Sequence, residues 1–177
     1  MATTLVTYEE ARAQVGTLPT CHPRPNSTNI RQLVKVLSER VAGIPSTQSP
    51  ENGYYGMVVT REEYALVSND QWQDFPDPGP VRGAIDGNAT STEQRDAEAV
   101  YQAAKTIFTN QQNVKRAVIT ALTNAVPQAY RRSATSIGVR TYRATDDPRQ
   151  IIQRLRDSYG RPTPSEKETN FNKWRAP

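Results

Sequence analysis

The sequence predicts an all-α fold, a bundle of short and medium amphipathic helices preceded by a Pro-rich N-terminal arm. Three observations carry this. Apolar residues recur at three- and four-residue spacing over long windows, capping signals stand where those windows begin, and the apolar/polar alternation of strands is close to absent.

Residues 1–25 contain Pro19, Pro23 and Pro25 and no sustained periodicity beyond a short helix from Tyr8 to Val15, so this stretch reads as a flexible arm, ordered only where something holds it. Asn26-Ser27-Thr28 then caps a helix in which Ile30, Leu33, Val34, Leu37 and Val41 form one stripe, and Gly43 with Pro45 ends it. Tyr54-Tyr55-Gly56-Met57-Val58-Val59 fits either a short extended piece or a loop that packs its aromatics. Thr60 and Glu63 form a capping box for a brief helix bearing Tyr64, Leu66 and Val67, with Trp72 following as an apolar anchor.

Three prolines in the run Pro76-Asp77-Pro78-Gly79-Pro80 fix φ and remove donors, so the backbone there is extended and marks the clearest internal boundary. Thr90 and Glu93 open the longest periodic region, where Ala97, Val100, Tyr101, Ala104, Ile107, Phe108, Gln111, Val114, Val118, Ala121, Leu122 and Ala125 keep helical spacing up to Pro127. One rod of about 33 residues fits this pattern. The polar run Asn110 to Asn113 favours two helices that meet or kink there.

Periodicity lapses over residues 127–144 and returns at Asp147-Pro148. Asp147 is placed as N-cap, Pro148 needs no donor at the first helical position, and Gln150 stands where a capping box wants it. Ile151, Ile152, Leu155 and Tyr159 share a face, and Gly160 is expected to close the helix in a left-handed conformation. That face needs a partner, and Thr163-Pro164-Ser165-Glu166 opens a further helix with Phe171 and Trp174 to supply one. This last helix barely begins an apolar face before Pro177, so the chain reads as a fragment or truncated product. The resulting organisation is an arm at 1–25, a helical segment at 26–75, a Pro/Gly-rich linker at 76–90 and a helical region at 91–177.

At 177 residues and 36% apolar, the chain has room for one modest core. No run of 18 or more apolar residues occurs, and Met1-Ala2-Thr3-Thr4 lacks a secretory start, so the expected compartment is the cytoplasm, with no membrane partner. The single Cys and single His are adjacent, Cys21-His22, in a Pro-rich arm. That pair supplies neither a tetrahedral zinc site nor a scaffolded nucleophile and base, and it reads as plainly exposed. Carboxylate pairs at Glu62-Glu63 and Asp146-Asp147 stand at helix starts, where the dipole explains them. The expectation is a protein that is not an enzyme, with no metal, no cofactor and no small-molecule substrate.

Charge is unevenly placed. Residues 1–75 hold 6 Lys+Arg against 8 Asp+Glu, residues 76–110 hold 3 against 5, and residues 111–177 hold 13 against 5, a net of +8. Such polarity points to a polyanion or an acidic protein surface as partner, or to a basic solvated face. Tyr130-Arg131-Arg132 and Arg140-Thr141-Tyr142-Arg143 set four guanidiniums beside two rings in an irregular segment. Arginine pairs with phosphate and tyrosine stacks on unpaired bases, so Arg131, Arg132, Arg140, Arg143, Tyr130 and Tyr142 are the candidate single-stranded RNA contacts, with a solvated basic loop as the alternative.

From Tyr101 to Trp174 the order of motifs is familiar. An aromatic-bearing helix leads into Val114-Lys115-Arg116-Ala117-Val118-Ile119-Thr120-Ala121-Leu122, then into a helix with Leu155 closing on Ser158-Tyr159-Gly160, then to Phe171 and Trp174. This is similar to the capsid-like region of the Gag-like polyprotein of copia-type retrotransposons. Arg24-Pro25-Asn26, Tyr54-Tyr55-Gly56-Met57 and Asp77-Pro78-Gly79-Pro80 also resemble such proteins. The resemblance implies an α-helical, capsid-like protein that forms homo-oligomers and packages RNA. The other reading is a monomeric adaptor or nonspecific RNA-binding module.

Overall fold

The computed structural model describes residues 5–83, 87–132, 138, 140–162, 164, 167, 168 and 171. Among the described residues there is no strand. The helices are α1 (Tyr8–Val15), α2 (Ser27–Ala42), α3 (Arg61–Ala65), α4 (Ser91–Ala125) and α5 (Pro148–Tyr159), with single 3-10 turns at Tyr55–Met57 and Gln128–Tyr130.

Local chemistry starts each helix. Thr7, Thr60 and Thr90 each accept the N–H of a glutamate three residues on, and that glutamate reaches back to the threonine N–H. Asn26 and Asn29 do the same with two amides. The carboxyls of Glu10 and Glu93 lie below the usual range because the Thr7 and Thr90 backbone N–H groups donate to them. At α5, Asp147 accepts from Arg149 N–H at 2.9 Å and holds the Arg149 guanidinium, so the cap uses Asp147 alone and Gln150 stays exposed. Gly160 is not left-handed. It continues in right-handed geometry with φ −78°, and it must be glycine because a Cβ would stand 2.4 Å from the Arg156 carbonyl oxygen.

The helices close on one apolar cluster, built from residues 11–72 and 114–155. Ile30, Leu33, Leu37 and Val41 of α2, Val114, Val118 and Leu122 of α4, and Ile151, Ile152 and Leu155 of α5 are all at most 3% exposed. The partner of α5 is therefore α2, with a smaller contact to α4. Trp174 and most of the segment meant to pair with α5 lie outside the described residues. The stretch around Tyr54 is a 3-10 turn that packs its rings, with Tyr54 and Tyr64 meeting Trp72 edge-on at 5.9 and 6.0 Å between centroids. Trp72 lies so close over Gly56 that a Cβ there would sit 2.6 Å from the indole. Leu66 falls just beyond α3 and is 85% exposed, so only Tyr64 of that helix reaches the core.

The N-terminal arm is held. α1 lies along the C-terminal half of α4, and Ala11, Val15, Leu18 and Cys21 enter the core. The expected exposed Cys21-His22 pair is split, because His22 faces solvent while Cys21 is fully buried and its N–H donates to Ala125 O at 2.8 Å. Arg40 of α2 clamps the end of α1 by donating to Val15 O at 2.6 Å and Thr17 O at 2.7 Å.

The expected break at Asn110 to Asn113 does not occur, and α4 runs unbroken for 35 residues. The polar run serves as a latch. Asn110 Oδ1 accepts from Val6 N–H at 2.7 Å, and Asn113 Nδ2 donates to Val6 O at 2.9 Å, which ties down the start of the arm. Gln111 Oε1 accepts from Phe75 N–H at 3.1 Å, and Gln111 Nε2 donates to Gln48 Oε1 and Gln73 O. From there the Pro-rich linker climbs back along α4. Tyr101 O–H donates to Gly79 O at 2.9 Å, and Arg82 donates to Gln94 O at 2.8 Å. Buried side chains on α4 begin only at Asn110, so the helix projects about 28 Å beyond the core, flanked by the linker.

Candidate nucleic-acid interface

The residues proposed to hold RNA divide into two groups. Tyr142 is 7% exposed, and burial pushes its hydroxyl well above the ordinary tyrosine range. Its ring belongs to the core and presents no face for a base to stack on. Tyr130 sits in the turn after α4, half-buried, its ring edge-on to Tyr159 at 5.7 Å and 87°. Tyr130, Arg132 and Tyr142 meet in one cleft, but its volume of about 20 Å³ has room for about one water. Arg131 turns inward, where its Nε donates to Val126 O at 2.7 Å.

Arg132, Arg140 and Arg143 remain. All three are exposed, and their guanidiniums have no partner among the described residues. Asp146, which is fully buried, holds the backbone at Arg143 by accepting its N–H at 2.8 Å. Residues 133–137 and 139 of this loop lie outside the described residues.

Much of the positive charge of the C-terminal third is engaged within the chain. Arg149 bridges Asp74 and Asp147, and Arg156 Nη1 meets Glu63 Oε1 at 2.8 Å. Lys115 donates to Thr145 O, and Arg116 lies 4.7 Å over the Tyr8 ring. One acidic surface that the basic third meets is therefore the chain's own 60–75 stretch. The sequence carried no sign of which arginines pair, since Arg149 and Asp74 are 75 positions apart.

Among the described residues no group of His, Cys, Asp and Glu is arranged to hold a metal ion. Burial raises the Cys21 thiol to about 11 and the Tyr54 hydroxyl to about 12, and neither group faces a cleft with a base beside it. No helix among the described residues is long and apolar enough to cross a membrane. The sequence placed Gln111 in the helical stripe and read Asn110 to Asn113 as a break, so the latch made by Asn110 and Gln111 was missed; its signal was two adjacent amides at positions where the apolar stripe calls for a hydrophobic residue. The chain matches no protein-family model, and comparison with curated proteins and with solved structures returns no match.

Proposed function

We propose that this chain is a non-enzymatic, Gag-like structural protein of a retroelement, which self-associates in the cytoplasm and holds single-stranded RNA through nonspecific charge contacts. The observation that carries the reading is the division among its cations. Arg131, Arg149 and Arg156 are engaged with the fold, while Arg132, Arg140 and Arg143, within 12 positions of one another in the sequence, stand exposed without a partner among the described residues. Exposed guanidiniums beside a cleft too small for a base suit a phosphate backbone rather than base recognition. The projecting half of α4, with Val100 70% exposed, supports the self-association part.

Each phosphate contact to a single strand contributes about −0.7 to the slope of log affinity against log salt, so three contacts give about −2. Replacing Arg132, Arg140 and Arg143 by Ala should bring that slope towards zero with helicity unchanged. Unchanged affinity and slope in the triple variant would mean that the loop is only a solvated surface. The monomeric adaptor is the second reading, and one observation favours it: the stripes Ile30–Val41 and Val114–Leu122 are turned into the chain's own core.

A further inference from the structure

Along the outer side of α2 runs a groove whose two hollows share Lys35, Ser38 and Tyr55. The first, about 450 Å³, lies between α2, the Tyr55–Met57 turn and the end of α5, with Ile30, Val34 and Val59 as floor. Arg31, Lys35 and Arg161 stand on its rim, exposed and without an ion-pair partner among the described residues, while Arg156 is held by Glu63. The second, about 380 Å³, is more apolar, lined by Ala42, Tyr55 and Val67, with Glu39 at its edge. Val67 is 51% exposed. From Ile30 to Ala42 the groove spans about 18 Å, the length of a helix of about 12 residues.

One face of the projecting half of α4 has a matching order of chemistry. At about 100° per residue Glu93, Asp96, Val100 and Ala103 share that exposed face, while Lys105 and Glu98, the latter held by Arg82 and Gln102, lie on the opposite one. Laid parallel to α2, Glu93 and Asp96 meet Arg31, Lys35 and Arg161. Val100 and Ala103 then meet Val67 and Ala42. The arm of a given copy does not fold back into its own groove, because α4 is one unbroken helix whose other half is locked in the core.

We propose that the projecting half of α4 of one copy docks in the α2 groove of a second copy. Resting on the self-association reading above, this names the surfaces that meet. Groove and arm are different patches of the same chain, so the contact is heterologous and repeats into open chains or rings rather than closing as a two-fold dimer. Complementary charge orders the two surfaces and makes the contact salt-sensitive.

Sedimentation velocity on three full-length proteins tests it: wild type, a groove variant (Arg31→Glu with Lys35→Glu) and an arm variant (Asp96→Lys with Val100→Lys). All four positions are exposed, and circular dichroism checks that each variant keeps its helicity. Each variant alone should associate about tenfold or more weakly than wild type. An equimolar mixture of the two should restore association, because the groove variant keeps an intact arm and the arm variant an intact groove. Variants that associate as wild type does, or a mixture that stays monomeric, overturn the docking while leaving self-association standing. A groove variant that loses single-stranded RNA but still self-associates assigns the groove to a polyanion and overturns it too. A wild type that stays monomeric throughout removes both this inference and the self-association reading.

Discussion

Gln111→Leu is the substitution that most sharply separates a latch from a mere polar interruption of α4. The side chain is 5% exposed and makes three hydrogen bonds, to Phe75 N–H at 3.1 Å, Gln48 Oε1 at 3.0 Å and Gln73 O at 3.1 Å. Leucine is of similar volume and a better helix former, so helix propensity and burial both favour the variant. Against them stand three lost bonds at about 1 kcal/mol each, and a Phe75 donor left without its acceptor in a partly buried site, for a net loss of about 2–4 kcal/mol. On a domain stability of about 5–15 kcal/mol that is a large fraction. Urea unfolding followed by circular dichroism measures it, and amide exchange at Phe75 should accelerate in the variant before global unfolding. A Gln111→Leu protein as stable as wild type, with Phe75 exchange unchanged, would refute the latch and return the polar run to being incidental.

Leu37 is fully buried, so Leu37→Asp should abolish cooperative unfolding by more than about 4 kcal/mol of destabilisation rather than yield a soluble folded monomer. Thermal melts monitored at 222 nm would contradict this if the variant kept a wild-type transition. Burial raises the Cys21 thiol to about 11 from an ordinary value of 9.0, so the neutral thiol is favoured in the fold. The stabilising contribution is complete below pH 9 and is lost as pH rises through about 11, and iodoacetamide should label Cys21 at neutral pH only as fast as the chain opens. Labelling at the rate of a free thiol would place Cys21 on the surface. Tyr142→Ala should cost about 3–5 kcal/mol of stability, whereas Tyr142→Leu, which fills the site without a ring, should leave RNA affinity unaltered in filter binding. A clear loss of affinity in a folded Tyr142→Leu protein would restore the ring to the interface.

Helix starts were legible because they are local. Asn26, Thr60, Thr90 and Asp147 each act within three residues of themselves, so spacing alone reveals them. The stripe of α2 was legible for the same reason, since one period of 3.6 residues sorts Ile30, Leu33, Leu37 and Val41 onto a single face. Continuity of α4 was not, because a polar run inside an apolar stripe looks identical whether it bends the helix or binds a distant backbone. The bond from Val6 to Asn110 spans 104 positions. The end of α5 misled in the opposite way, as Gly160 is needed for a close approach to Arg156 O and not for a left-handed turn. The six candidate RNA contacts were picked as a group from the sequence, and their division between core and surface was hidden. Whether a tyrosine stacks on RNA or fills the core depends on Cys21, Asp146 and α5 folding around Tyr142, which no window of the sequence contains.

The central claim is that this closed helical body still carries surfaces made for its own copies. Sedimentation velocity of the whole chain over a wide range of concentration, at low and at moderate salt, tests it most directly. The account predicts a mass that climbs above 19.8 kDa as concentration rises, less steeply at moderate salt, with helicity constant throughout. A mass fixed at 19.8 kDa across the whole range at both salt concentrations would contradict it.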